Sequence, residues 1–125
     1  MNFLDSVSSN RITWYHATKA PNKAEREQLV KNFGFHQHHV EGTEKGKTPR
    51  PKISVNKKYS YFVFHIPYSP PKYNRLFICE LNVFVTSKAI VTIESQGNLL
   101  SLDTYIEKTK ATKRIAQRRF KLGTS

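Results

Sequence analysis

The sequence predicts an α/β fold, a layered α/β/α sandwich around a mixed, largely antiparallel central sheet. Three observations carry that expectation. The stretch Tyr59–Pro67 is apolar on both faces of a strand, with Tyr61 and Val63 on one side and Phe62, Phe64 and Ile66 on the other, so it needs cover above and below. Two further β-rich stretches, Leu76–Thr86 and Ala89–Glu94, follow on short links and predict an antiparallel meander. Helical patterns precede and follow this block and supply the covering layers.

Taken in order, residues 1–10 read as a flexible, polar lead-in, and residues 11–122 as a single domain. Ile12–His16 alternates and is rich in β-formers, which predicts a strand. Asn22 followed by Glu25 has the spacing of a capping box. A helix from there buries Leu29, Val30 and Phe33 and stops at Gly34, with Phe35 folding back on it. A short second helix over Gln37–Glu41 stops at Gly42. Residues 43–50 form a polar, basic loop. Pro51–Lys57 is a short strand with Ile53 and Val55 on one face, and Asn56-Lys57-Lys58 turns the chain into the apolar strand. Ser87-Lys88 links the last two strands. Gln96-Gly97-Asn98 opens a helix carrying Leu99, Leu102 and Ile106 at helical spacing, with helix continuing over much of 112–120.

The 21 basic residues against 9 acidic give a formal net charge of +12. A surplus of that size points to an acidic partner: nucleic acid, an anionic membrane surface or an acidic neighbouring domain. The lone cysteine, Cys79, excludes a disulfide framework within the chain. The N-terminus lacks the pattern of a signal peptide, and every apolar run is strand-sized rather than membrane-sized, so the chain is expected to be soluble.

Candidate chemistry centres on His36, His38 and His39 with Glu41 close by. Neutral imidazoles beside a carboxylate are a metal-ligand pattern, and His36 and His39 share a helix face. The competing reading makes them surface and capping residues. His16 and His65 lie on strands and are expected to pack in the sheet. No nucleophile elbow, phosphate-binding loop or dinucleotide fingerprint occurs, the carboxylates are scattered, and Cys79 sits mid-strand where a thiol is inert. Together these predict a non-enzymatic protein. Lys113, Arg114, Arg118 and Arg119 form a basic surface suited to phosphates or anionic lipid, or to a solvated helix face.

The ordered set Trp14, Phe33-Gly34-Phe35-His36, Val40-Glu41, Arg50-Pro51-Lys52-Ile53 and Tyr59-x-Tyr-Phe-Val-Phe resembles the N-terminal cytoplasmic domain of CorA-like divalent-cation transporters. That family carries a Trp-bearing strand, a helix ending in F-G-[LIF]-H-P-L, an L-E-D step, and R-P-K-[LIV]-E before a strand. Glu80-Leu-Asn-Val-Phe-Val and Lys88-Ala-Ile-Val-Thr-Ile are similar to the family's next pair of strands. The likeness spans residues 11 to 107 and gives Trp14, Phe33, Gly34, Arg50, Pro51 and Lys52 structural roles.

The resemblance implies one lobe of a homopentameric funnel at the cytoplasmic face of the cell membrane. It also implies transport of Mg²⁺, Co²⁺ or Zn²⁺ through a stalk and membrane helices that this sequence does not contain. Mg²⁺ or another divalent cation is the implied cofactor, bridging carboxylates of neighbouring subunits, with Glu41 as the matching ligand. The sequence departs from the family where Glu41-Gly42 replaces Glu-Asp, which removes one expected carboxylate, and where His36-Gln37-His38 replaces His-Pro-Leu. The reading from charge alone gives the alternative, a free-standing basic α/β domain that binds nucleic acid.

Overall fold

A computed structural model describes residues 3–47, 50–69, 72, 74–95, 102 and 104–112. The elements run β1 (Asp5–Ser9), β2 (Ile12–Ala17), α1 (Lys23–Phe33), α2 (Gln37–Glu41), β3 (Lys52–Val55), β4 (Ser60–Tyr68), β5 (Phe77–Val85) and β6 (Ala89–Glu94). Helical residues 104–112, α3, follow. The strands form one sheet in the order β1-β2-β6-β5-β4-β3. Every neighbouring pair is antiparallel except β2 with β6, so the expected mixed, largely antiparallel sheet forms.

The first strand corrects the reading of residues 1–10 as a loose lead-in. Asp5–Ser9 pairs with Ile12–His16 through a two-residue turn at Asn10 and Arg11, both with positive φ (49° and 69°). That is the backbone a tight hairpin requires, because its twist matches the strands. Asn tolerates the conformation, whereas Arg11 gives no such signal, and the polar DSVSS run hides the strand.

The helix signals work as expected. Asn22 Oδ1 accepts from the Glu25 N–H at 2.8 Å, and Glu25 Oε1 accepts from the Asn22 N–H at 2.8 Å, closing the capping box. Gly34 ends α1 at φ 73°, a left-handed position that glycine takes without strain. Its N–H returns to the Val30 carbonyl at 3.0 Å. Phe35 then folds back, stacking on Phe33 (centroids 5.1 Å apart) and on Phe84 of β5 (4.2 Å). Side chains shape the strand links too. Asn56 Oδ1 accepts from the Lys58 and Tyr59 N–H groups, and Thr86 Oγ1 accepts from those of Lys88 and Ala89. These local bonds turn the chain without glycine.

Register sorts the sheet into two faces. Tyr15, Ala17, Tyr61, Val63, Phe84, Val91 and Ile93 point to one, where they pack with Leu29, Phe35 and Val40 into the core under α1 and α2. Each fully buried large side chain there contributes about 1.5–3 kcal/mol. The opposite face carries His16, Cys79, Leu81, Thr92 and Glu94, all buried, together with Asp5. Lys110 of α3 reaches Asp5 at 2.7 Å, and Ile106 of α3 is fully buried, so α3 covers the β1-β2-β6 side of this face. Helices thus lie on both sides of the sheet, and the sandwich is three-layered.

Cover is uneven along β4. Tyr61 and Val63 are buried as expected, but among the described residues Phe64 stays 45% exposed and Phe62 half-buried. His65, expected to pack in the sheet, is exposed. β3 pairs only with residues 60–63, so the second half of β4 runs beyond its neighbour. That open edge also tolerates Pro67, which has no N–H to donate.

Candidate functional site

α2 is built around its histidines. His36 is the N-cap, and its Nδ1 accepts from the His38 N–H at 3.1 Å. The His36 N–H donates to the Tyr59 hydroxyl at 2.7 Å, and that hydroxyl lies 2.7 Å from His39 Nδ1. His39 also stacks on Tyr61 at 4.6 Å. The His36 imidazole therefore caps α2, and the His39 imidazole ties it to Tyr59 and Tyr61, which supports the capping reading. Burial, reinforced by the electrostatic influence of His36, Lys52 and His38, holds the His39 imidazole below its ordinary range.

Glu41 points elsewhere. It accepts from Gln37 Nε2 at 3.4 Å and lines a groove of about 440 Å³ between α1 and the end of α2. Glu27 and Glu44 share the groove with Lys23, Arg26 and Lys31, and Arg26 crosses toward Glu44 at 3.8 Å. Glu41 makes no hydrogen bond or ion pair with His36 or His39. Among the described residues, no three His, Cys, Asp or Glu side chains stand together in a metal-holding arrangement.

Phe33 packs edge-on against Tyr15 at 5.2 Å, and Gly34 caps α1. Arg50 and Pro51 are exposed ahead of β3, and Lys52 holds its ammonium 5.6 Å from the Tyr61 ring. Trp14 donates from Nε1 to Thr92 Oγ1 at 2.9 Å. Lys113, Arg114, Arg118 and Arg119 lie outside the described residues.

Trp14 leads to a buried network that motif reading misses. His16 Nδ1 lies 2.6 Å from Thr92 Oγ1, and His16 Nε2 lies 3.1 Å from Glu94 Oε2, with neither His16 nor Glu94 exposing its side chain. Cys79 directs its thiol at Glu94 Oε1 from 3.8 Å, and burial, then Glu94, pushes the thiol up to about 11. A thiol held there stays protonated and inert, as expected. The network joins β2, β6 and β5 across the middle of the sheet. Its one sequence signal is the alternation Ile90, Thr92, Glu94 against Ala89, Val91, Ile93.

On the core face, Tyr61 donates to Asn82 Oδ1 at 2.6 Å, and burial pushes its phenol up. Asn82 Nδ2 donates to Ser95 Oγ at 3.5 Å, and Ser95 donates to the Thr43 carbonyl at 3.0 Å, tying the sheet to the turn after α2. Burial also pushes the Glu80 carboxyl up, partly offset by His65 across the strand pair.

A family model described as CorA-like Mg²⁺ transporter protein matches residues 9–122. Among solved structures, the soluble domain of CorA from Methanocaldococcus jannaschii is similar, with a TM-score of 0.60 at 16% identity. The match covers 82% of this chain and 38% of that one. The full-length CmaX protein is also similar, with a TM-score of 0.54 at 13% identity over 67% of this chain and 25% of that one. The chain thus spans well under half the length of either structure. No curated protein sequence matches.

Proposed function

The chain belongs to the family of CorA-like Mg²⁺ transporter proteins, and on that premise we propose that it is the regulatory lobe of a divalent-cation transporter. The observation that carries this reading is the family match over residues 9–122, which takes in every described element except the first part of β1. No helix among the described residues is long and apolar enough to cross a membrane, so a pore would have to come from other sequence. In this reading the lobe is non-enzymatic. It sits at the cytoplasmic face of the membrane and assembles with copies of itself as a pentamer. The basic residues Lys113, Arg114, Arg118 and Arg119 give it, in this reading, affinity for anionic lipid or acidic neighbouring helices.

Regulation in this reading runs through a Mg²⁺ ion, or another hard divalent cation, held by carboxylates of adjacent copies. Glu41 is the ligand this chain offers. It is exposed at the end of α2, in a groove it shares with Glu27 and Glu44 and with Lys23, Arg26, Lys31 and Lys47. Gly42, in place of the family's Asp, leaves that ligand set one carboxylate short, which makes the cation weakly held. His36 and His39 suit the role less, because each already uses Nδ1 in a hydrogen bond that holds α2.

Thermal melts with Mg²⁺, Co²⁺ or Zn²⁺ test the reading. A ligand at one hundred times its dissociation constant stabilises the folded state by about 2.7 kcal/mol. The expected result is a Mg²⁺-dependent rise in melting temperature that Glu41→Ala removes. A rise that is equal in Glu41→Ala would show that the cation acts elsewhere.

A further inference from the structure

The three imidazoles of the α2 region stand together, with ring centroids 5.7 Å apart for His36 and His39, 6.3 Å for His38 and His39, and 6.5 Å for His36 and His38. What they offer a ligand is decided by the bonds they already make. His36 accepts at Nδ1 from the His38 N–H, and an imidazole that accepts at one nitrogen carries its proton on the other. Tyr59 is 5% exposed, and its hydroxyl accepts from the His36 N–H. Among the described residues, the one acceptor in reach of the hydroxyl's own proton is His39 Nδ1. His39 therefore also accepts at Nδ1 and carries its proton on Nε2.

No described residue takes either Nε2–H group, so both remain donors. Lys52 adds an ammonium beside the Tyr61 ring on which His39 stacks, and it forms no ion pair among the described residues. Its charge reaches His39. The stretch from Lys45 to Cys79, which brings Lys52 to the cluster, carries no Asp or Glu. His36 and His39 thus offer N–H donors beside the Lys52 ammonium, with their own ring lone pairs already in use.

We propose that His36, His38, His39 and Lys52 bind a small oxyanion of the phosphate type. A phosphate presents several acceptor oxygens, and charge-assisted N–H···O bonds of about 2.8 Å would engage separate donors at once. Lys52 supplies the point charge. The lattice of Phe35, Tyr59, Tyr61 and Phe84 beneath holds the rings in place before the ligand arrives. A divalent cation suits this cluster poorly, since it would meet N–H groups and an ammonium.

Imidazole ¹⁵N spectra of the chain, titrated with inorganic phosphate at neutral pH and constant ionic strength, test the proposal. The expected spectra place the protons of His36 and His39 on Nε2. Phosphate shifts both rings saturably with a dissociation constant of about 1 mM, whereas chloride does not. Lys52→Ala and His38→Gln alter exposed side chains, leave the fold intact, and each weaken phosphate by about tenfold. The proposal is overturned by protons on Nδ1, by no saturable response up to about 50 mM phosphate, or by equal responses in Lys52→Ala and the unaltered chain. Binding to phosphatidylglycerol vesicles without a response to inorganic phosphate also overturns it, because the site would then read a lipid surface.

Discussion

Tyr59→Phe removes one oxygen and leaves the ring. That ring packs against Phe35 at 5.0 Å and Phe84 at 6.0 Å, contacts that phenylalanine keeps. The loss is confined to two hydrogen bonds of 2.7 Å, one accepted from the His36 N–H and one shared with His39 Nδ1. A net hydrogen bond is worth about 1 kcal/mol, and leaving a partly buried partner unsatisfied raises the cost, so the variant should lose about 1–3 kcal/mol. Urea unfolding should show this as a lower midpoint with an unchanged slope, and thermal unfolding as a fall of about 4 °C per kcal/mol. The His39 ring should then lose its fixed tautomer, visible in its ¹⁵N shifts. Stability within about 0.5 kcal/mol of the unaltered chain, with the tautomer unchanged, would refute the assignment of Tyr59 as the tie between α2 and β4.

Other expectations can be checked by the same methods. Gly34→Ala meets nothing within 4 Å but must hold φ at +73°, so it should cost about 1 kcal/mol, and Gly34→Asn less, by urea midpoint. His39 is held below its ordinary value of 6.5, so the unfolded chain binds the proton more readily. Stability on this account is full above about 6.5 and falls as pH drops through the window below it, and His39→Gln should flatten that slope between about pH 5 and 7. Glu94→Leu leaves the buried His16 Nε2 without its partner and should cost about 1–3 kcal/mol, while adding His16→Leu to it should cost less than the sum of the single changes.

Much of the fold was legible because its signals are local. Asn22 with Glu25, Gly34 with Phe35, and the two-sided apolar pattern of Tyr59–Pro67 each act within a few residues, and each marks its element in the structure. The signals that failed are the non-local ones. β1 exists because Asp5–Ser9 lies beside β2, not because DSVSS favours a strand. The His16–Glu94 pair joins residues 78 apart through the parallel β2–β6 contact, which nothing near either residue announces. Exposure of His65 and Phe64 depends on what lies above and below β4, which the pattern of β4 itself does not announce. In the candidate site, the clustering of the histidines was readable, but their polarity was not. That Nδ1 is the occupied nitrogen of His36 and His39 follows from Tyr59 and from the backbone of α2.

The central claim is that Glu41 is a cation-dependent contact between copies of this domain, and sedimentation velocity at rising Mg²⁺ tests it most directly. Gly42 has ordinary right-handed helical angles (φ −63°, ψ −17°), so Gly42→Asp can restore the missing carboxylate without backbone strain. The account expects Mg²⁺ to shift the chain toward larger assemblies, Glu41→Ala to abolish the shift, and Gly42→Asp to move it to lower Mg²⁺ by about tenfold. Identical sedimentation of all three proteins at every Mg²⁺ concentration would contradict it.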